Sequence, residues 1–130
     1  MKKISCILLV DDDEPTNFIH QMAIEEADCC STLNTVTNGL EALDYFKDSD
    51  NTTPEVVFLD INMPRMNGWQ FLDEYKKLDE EKKARIVIVM LTTSLNPADL
   101  KRAKEIKEIS DFRNKPLTVG MLEEIIEHHF

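Results

Sequence analysis

The sequence predicts an α/β domain in which an open parallel sheet carries helices on both faces. Five short apolar runs recur along the 130 residues: CILLV (6–10), STLNTV (31–36), VVFL (56–59), IVIVML (86–91) and ISDF (109–112). Stretches with apolar residues at helical spacing lie between these runs and after the last. The first, third and fourth runs are continuous in Val, Ile and Leu, as strands buried on both faces require. Parallel neighbours need crossover connections, and alternating helices supply them.

Each element follows in order. The first run comes after Met1-Lys2-Lys3, which also resembles the start of a signal peptide. It is short, lacks a small-residue cleavage site and runs straight into three aspartates, so it reads as a strand. A helix is expected over 15–27, with Phe18, Ile19, Met22, Ala23 and Ala27 as its apolar face. The second strand leads to a helix over 39–47 carrying Leu40, Leu43, Tyr45 and Phe46, and then to the polar loop DSDNTTP (48–54). After the third strand, Trp69, Phe71, Leu72, Tyr75 and Leu78 mark a helix over 68–78.

Asn96 reads as an N-cap, with Pro97 at the first helical position and Asp99 in the first turn. This fourth helix has a narrow stripe of Leu100, Ala103 and Ile106 and a cluster of cations, Lys101, Arg102, Lys104 and Lys107. Thr118 is expected to cap a fifth helix buried through Met121, Leu122, Ile125 and Ile126.

A formal charge of -10 excludes a phosphate-backbone binder, which needs a basic footprint, so nucleic acid is not an expected partner. No segment approaches the roughly 20 apolar residues of a membrane span. Cys6, Cys29 and Cys30 are odd in number, with two adjacent, and suit a reducing, cytoplasmic compartment better than a disulfide framework. His20, His128 and His129 have no metal-ligand spacing.

In open parallel sheets, ligands bind beyond the carboxyl ends of the strands. Asp11, Asp12 and Asp13 follow the first strand, Asp60 the third, Thr92, Thr93 and Ser94 the fourth, and Lys115-Pro116 the fifth. Asp11, Asp12 and Asp60 could together hold Mg²⁺, which takes carboxylate oxygens and keeps several waters. A carboxylate beside a divalent cation and an ammonium can attack phosphorus, with both positive groups stabilising the transferring phosphoryl. Asp13 belongs to the turn into the first helix, Gly68 to the turn into the third, and Trp69 to packing. Phe112 taken alone is a core residue.

The stretches ILLVDDDEP, VVFLDINMPRMNG, VIVMLTT and NKPL, in that order, resemble the receiver domain of two-component response regulators, and the chain is similar to stand-alone CheY-like proteins. The resemblance spans essentially all 130 residues. It implies one receiver domain over 1–130 without an output domain, on a flavodoxin-like doubly wound sheet of five parallel strands, order 2-1-3-4-5, with five helices.

It further implies Asp60 as phosphoacceptor, and Asp11, Asp12, Asp60 and the backbone carbonyl of Asn62 as the Mg²⁺ site. Thr92 and Lys115 would act on the phosphoryl group, Thr92 and Phe112 would form the switch, and the Lys115–Pro116 bond would be cis. The implied phosphodonor would be a histidine kinase or histidine phosphotransfer protein. Lys101, Arg102, Lys104 and Lys107 by themselves read as a solvated face; the resemblance implies that an output protein, with an acidic patch, would dock on the face of the fourth helix, fifth strand and fifth helix. Side chains at Asn62 and Ser94 would set the lifetime of the phosphorylated state.

Two departures stand out. No glycine or small residue precedes the fifth strand in EISDF, and Arg113 and Asn114 replace apolar residues, so that strand is expected to be a short edge strand. The rival classes are a Mg²⁺-dependent phosphohydrolase with an aspartyl nucleophile and a receiver-like module that takes no phosphate. The hydrolase would carry a second aspartate two residues after Asp60, where Asn62 stands. A switch with at most self-phosphorylation and self-dephosphorylation, not an enzyme in the ordinary sense, is the expectation.

Overall fold

Every residue of β1 (Ile4–Val10) except Ser5 is buried, which only a strand covered on both faces achieves. In the computed structural model of the chain, which describes residues 3–78, 83, 86–93 and 96–130, β1 lies inside a five-stranded parallel sheet. The other strands are β2 (Cys30–Val36), β3 (Val56–Asp60), β4 (Val87–Thr92) and β5 (Ile109–Asn114), in the order β2-β1-β3-β4-β5. The described helices are α1 (Glu14–Ala27), α2 (Gly39–Lys47), α3 (Gly68–Tyr75), α4 (Pro97–Lys104) and α5 (Val119–His129). The expected architecture and strand order are those observed.

Successive strand residues point to opposite faces, so each central strand feeds two cores. Leu8, Val10, Val57, Leu59, Ile88 and Met90 pack with Leu43 and Phe46 of α2 and Phe71, Leu72 and Tyr75 of α3. Ile7, Leu9, Phe58, Val89 and Leu91 pack on the other side with Ala23 and Ile24 of α1 and Leu122, Ile125 and Ile126 of α5. Helix starts follow local chemistry. Asp13, Asn38, Asn67, Asn96 and Thr118 each accept a backbone N–H from the first turn, and Asn67 forms a reciprocal capping box with Gln70.

Several expectations are corrected. The buried face of α1 is Asn17, His20, Ala23 and Ile24, whereas Phe18, Ile19 and Met22 are 63%, 50% and 54% exposed. The helix carries apolar residues on two sides, so periodicity could not choose between them. Asn17 decides it by bonding inward to the Asp11 carbonyl. Leu40 of α2 also faces outward.

The third helix ends at Tyr75, not residue 78, although Leu78 still packs on the core. α4 stops at Lys104, leaving Ile106 and Lys107 outside it. Glu105 and Ile106 donate to carbonyls three residues back, and this tightened turn closes the helix. β5 is an edge strand as expected, but at six residues it is longer than β3 and reaches Asn114. Arg113 is held there by ion pairs to Asp111 at 2.8 Å and Glu124 of α5 at 2.9 Å.

Candidate functional site

Asp11 stands directly beyond β1 at the carboxyl edge of the sheet and is 4% exposed. Its backbone is fixed from both sides: the N–H donates to Val36 at 3.1 Å and the carbonyl accepts from Asn17 Nδ2 at 2.8 Å. Its carboxylate divides its work. Oδ1 accepts the Asp13 N–H at 3.0 Å, and Oδ2 lies 2.5 Å from Lys115 Nζ. Asp13 turns away to cap α1, accepting from the Thr16 N–H and hydroxyl. Asp12, between them, is exposed.

Asp60 ends β3, and its Oδ1 lies 3.1 Å from the same Lys115 ammonium. The side chains of Lys115 and Asp60 are 10% and 12% exposed, so neither charge is well solvated. Lys115 follows β5, where its N–H donates to the Thr92 carbonyl at 2.7 Å, and the Lys115–Pro116 peptide is cis. Thr92, buried at the end of β4, pairs in register with Asn114. Phe112 is two positions earlier on β5, opposite Met90, half-buried against the core. Asn62 is exposed in the β3–α3 connection. Ser94 lies outside the described residues.

Carboxylate oxygens of Asp11, Asp12 and Asp60 all fall within 4.8 Å of one another. Three carboxylates against one ammonium leave two negative charges in a partly desolvated place. Burial pushes the Asp60 carboxyl above its usual range and the Asp11 charge adds to this; Lys115 and the Ile61 N–H offset only part. For Lys115 burial acts downward, but its bonds to Asp11 and Asp60 outweigh it and hold the ammonium above its ordinary value. This donor set of hard oxygens, with a charge deficit of two, suits Mg²⁺.

The site depends on a close approach beneath it. The Gly68 N–H donates to the Ile61 carbonyl at 2.8 Å. A β-carbon on Gly68 would run into the Asp60 carbonyl oxygen and meet Ile61 Cα at 3.2 Å. Gly68→Ala is therefore expected to cost about 1–3 kcal/mol, as overpacking against backbone does, read from the denaturant midpoint.

Sequence reasoning located Asp11, Asp12, Asp60, Thr92 and Lys115 on one rim. It did not find Asn17, the buried side chain that holds the Asp11 turn. An asparagine four residues after an N-cap gives no sequence signal of its own.

With this geometry in place, the comparisons are decisive at family level. The model of the response regulator receiver domain matches residues 7–127. The chain belongs to that family. The receiver is 32% identical over 119 residues to two-component response regulator 24 of Arabidopsis thaliana, covering 92% of this chain and 79% of that protein. The crystal structure of a two-component response regulator from Cytophaga hutchinsonii superposes with a TM-score of 0.88 at 28% identity, covering 98% of each chain. The phosphorylated cyanobacterial phytochrome response regulator RcpA superposes at 0.77 with 26% identity, covering 95% of the receiver and 89% of that chain. Receiver domains act in two-component signalling as switches rather than as enzymes in the ordinary sense. No described helix of this receiver is long and apolar enough to cross a membrane.

Proposed function

We propose that the receiver is a phosphorylation switch in which Asp60 accepts a phosphoryl group from the phosphohistidine of a histidine kinase or histidine phosphotransfer protein. The observation that carries this reading is the buried Lys115 ammonium set between Asp11 and Asp60, within a cluster of three carboxylates. The likeness to RcpA, a regulator whose crystal structure is of its phosphorylated form, supports it. A donor of this kind and three free cysteines fit a reducing cytoplasm.

An Asp60 carboxylate oxygen forms the new P–O bond as the donor's P–N bond breaks, and the departing imidazole takes a proton from solvent. Lys115 orients the carboxylate and then neutralises charge on the phosphoryl oxygens. Asp11, Asp12, Asp60 and the Asn62 carbonyl hold Mg²⁺, which, when bound, supplies charge neutralisation to the transferring group. The Thr92 hydroxyl turns toward the phosphoryl group, and Phe112 follows. Phe112 lines a groove of about 210 Å³ with Leu100, Ala103 and Ile109, so its ring has room to repack.

Output passes through α4, β5 and α5. There Lys101 and Lys104 are exposed and suit an acidic partner, while Arg102 lies 4.5 Å over the Trp69 ring and is already engaged. Input uses the apolar side of α1, where Phe18, Ile19 and Met22 are too exposed to be explained by the core. Phe18→Asp is expected to slow transfer from a phosphohistidine donor at least about tenfold, the loss of a single well-seated anchor. The same variant should take a phosphoryl group from a small acyl phosphate at the wild-type rate. Equal slowing with both donors would remove α1 as the docking side.

A further inference from the structure

Asn17 and His20 lie one turn apart on the inward side of α1, 6% and 2% exposed. The Asp11 carbonyl can only accept, so the bond from Asn17 Nδ2 fixes the amide with Oδ1 turned away from Asp11. Neither Asn17 Oδ1 nor His20 Nε2 has a hydrogen-bond partner among the described residues. Buried polar atoms are almost always paired, and ordered water is the usual partner where protein supplies none. Side chains three apart on a helix have β-carbons about 5–6 Å apart.

We propose that one internal water bridges Asn17 Oδ1 and His20 Nε2, and that through it His20 is a positioning residue for Asp11. His20 holds the water, the water holds the far end of the Asn17 amide, and Asn17 Nδ2 holds the Asp11 carbonyl. Without the bridge, the amide is held at one end only, by its bond to the Asp11 carbonyl, and the Asp11 turn loses part of its inner support. Burial, together with the Lys115 charge, pushes His20 below the usual imidazole range, which keeps a neutral ring available to the water. The positioning role rests on the reading of Asp11 as a metal ligand.

A crystal structure fine enough to show ordered solvent should place a water within about 3 Å of both atoms, and clean absence of density there overturns the bridge. His20→Leu replaces the ring with an apolar side chain and removes the anchor. It should weaken Mg²⁺ binding by about tenfold in calorimetry, at the lower end of what groups that orient metal ligands contribute. The melting temperature should fall, because Asn17 Oδ1 loses the bridge that satisfied it. His20→Gln, which keeps a polar end, should restore affinity close to wild type. Unchanged affinity in His20→Leu, or equal weakening in both variants, overturns the positioning role, as does a wild type that binds no Mg²⁺. Both readouts precede phosphorylation, so a receiver that binds Mg²⁺ but takes no phosphoryl group would sink the functional reading alone.

Discussion

Lys115→Ala is expected to destabilise the metal-free receiver by about 3–5 kcal/mol at neutral pH, the cost of leaving buried charge without its partner. Asp11 and Asp60 lose the ammonium that sits 2.5 Å and 3.1 Å from their oxygens, in side chains only 6% and 12% exposed. The defect should shrink with acid. The folded-state pKa of Asp60 is already raised above its unfolded value by burial and by Asp11, so protonation favours the folded state. Its contribution is therefore least favourable above the folded pKa and improves as pH falls toward the unfolded one. Removing Lys115 widens that window. Urea midpoints at neutral and mildly acidic pH read this directly, and Mg²⁺ should rescue the variant more than the wild type. A Lys115→Ala protein as stable as wild type at neutral pH would mean that the ammonium does not neutralise the site.

Asp12→Asn should separate metal binding from folding. Asp12 is exposed, so its loss should leave stability within about 0.5 kcal/mol or raise it slightly by relieving repulsion. Mg²⁺ affinity is another matter. Two unit charges about 4 Å apart interact by about 1 kcal/mol even in bulk water. A divalent cation doubles that, and about 2 kcal/mol corresponds to roughly 30-fold in affinity. Because Asp12 faces water, this solvent limit is the appropriate one, and calorimetry should show a loss of about that size. Phosphoryl uptake at limiting Mg²⁺ should fall in parallel. Asp11→Asn, by contrast, should disturb stability as well, since Asp11 is buried and bonded to Lys115.

The sheet was legible because its strands are continuous apolar runs with nowhere to go but between two helix layers. The rim was legible for a related reason: strand ends point to one edge, so Asp11, Asp60, Thr92 and Lys115 could be gathered from chain order alone. The face of α1 was not. Phe18, Ile19 and Met22 form as good a helical stripe as the buried set, and a tertiary bond from Asn17 decides which side turns in. Nor could the end of α4 be read, because the closing turn at Glu105 and Ile106 is a backbone event without a glycine or proline to announce it. On β5, Arg113 looked like a weakness of the strand until its partners Asp111 and Glu124 were in place.

The most direct test of the account is the intact mass of the receiver after incubation with Mg²⁺ and a small acyl phosphate, beside the Asp60→Ala variant. The wild type should gain the mass of one phosphoryl group, lose that gain when Mg²⁺ is chelated beforehand, and Asp60→Ala should gain nothing. An equal adduct on Asp60→Ala, or none on a folded, Mg²⁺-loaded wild type with any donor, would contradict it.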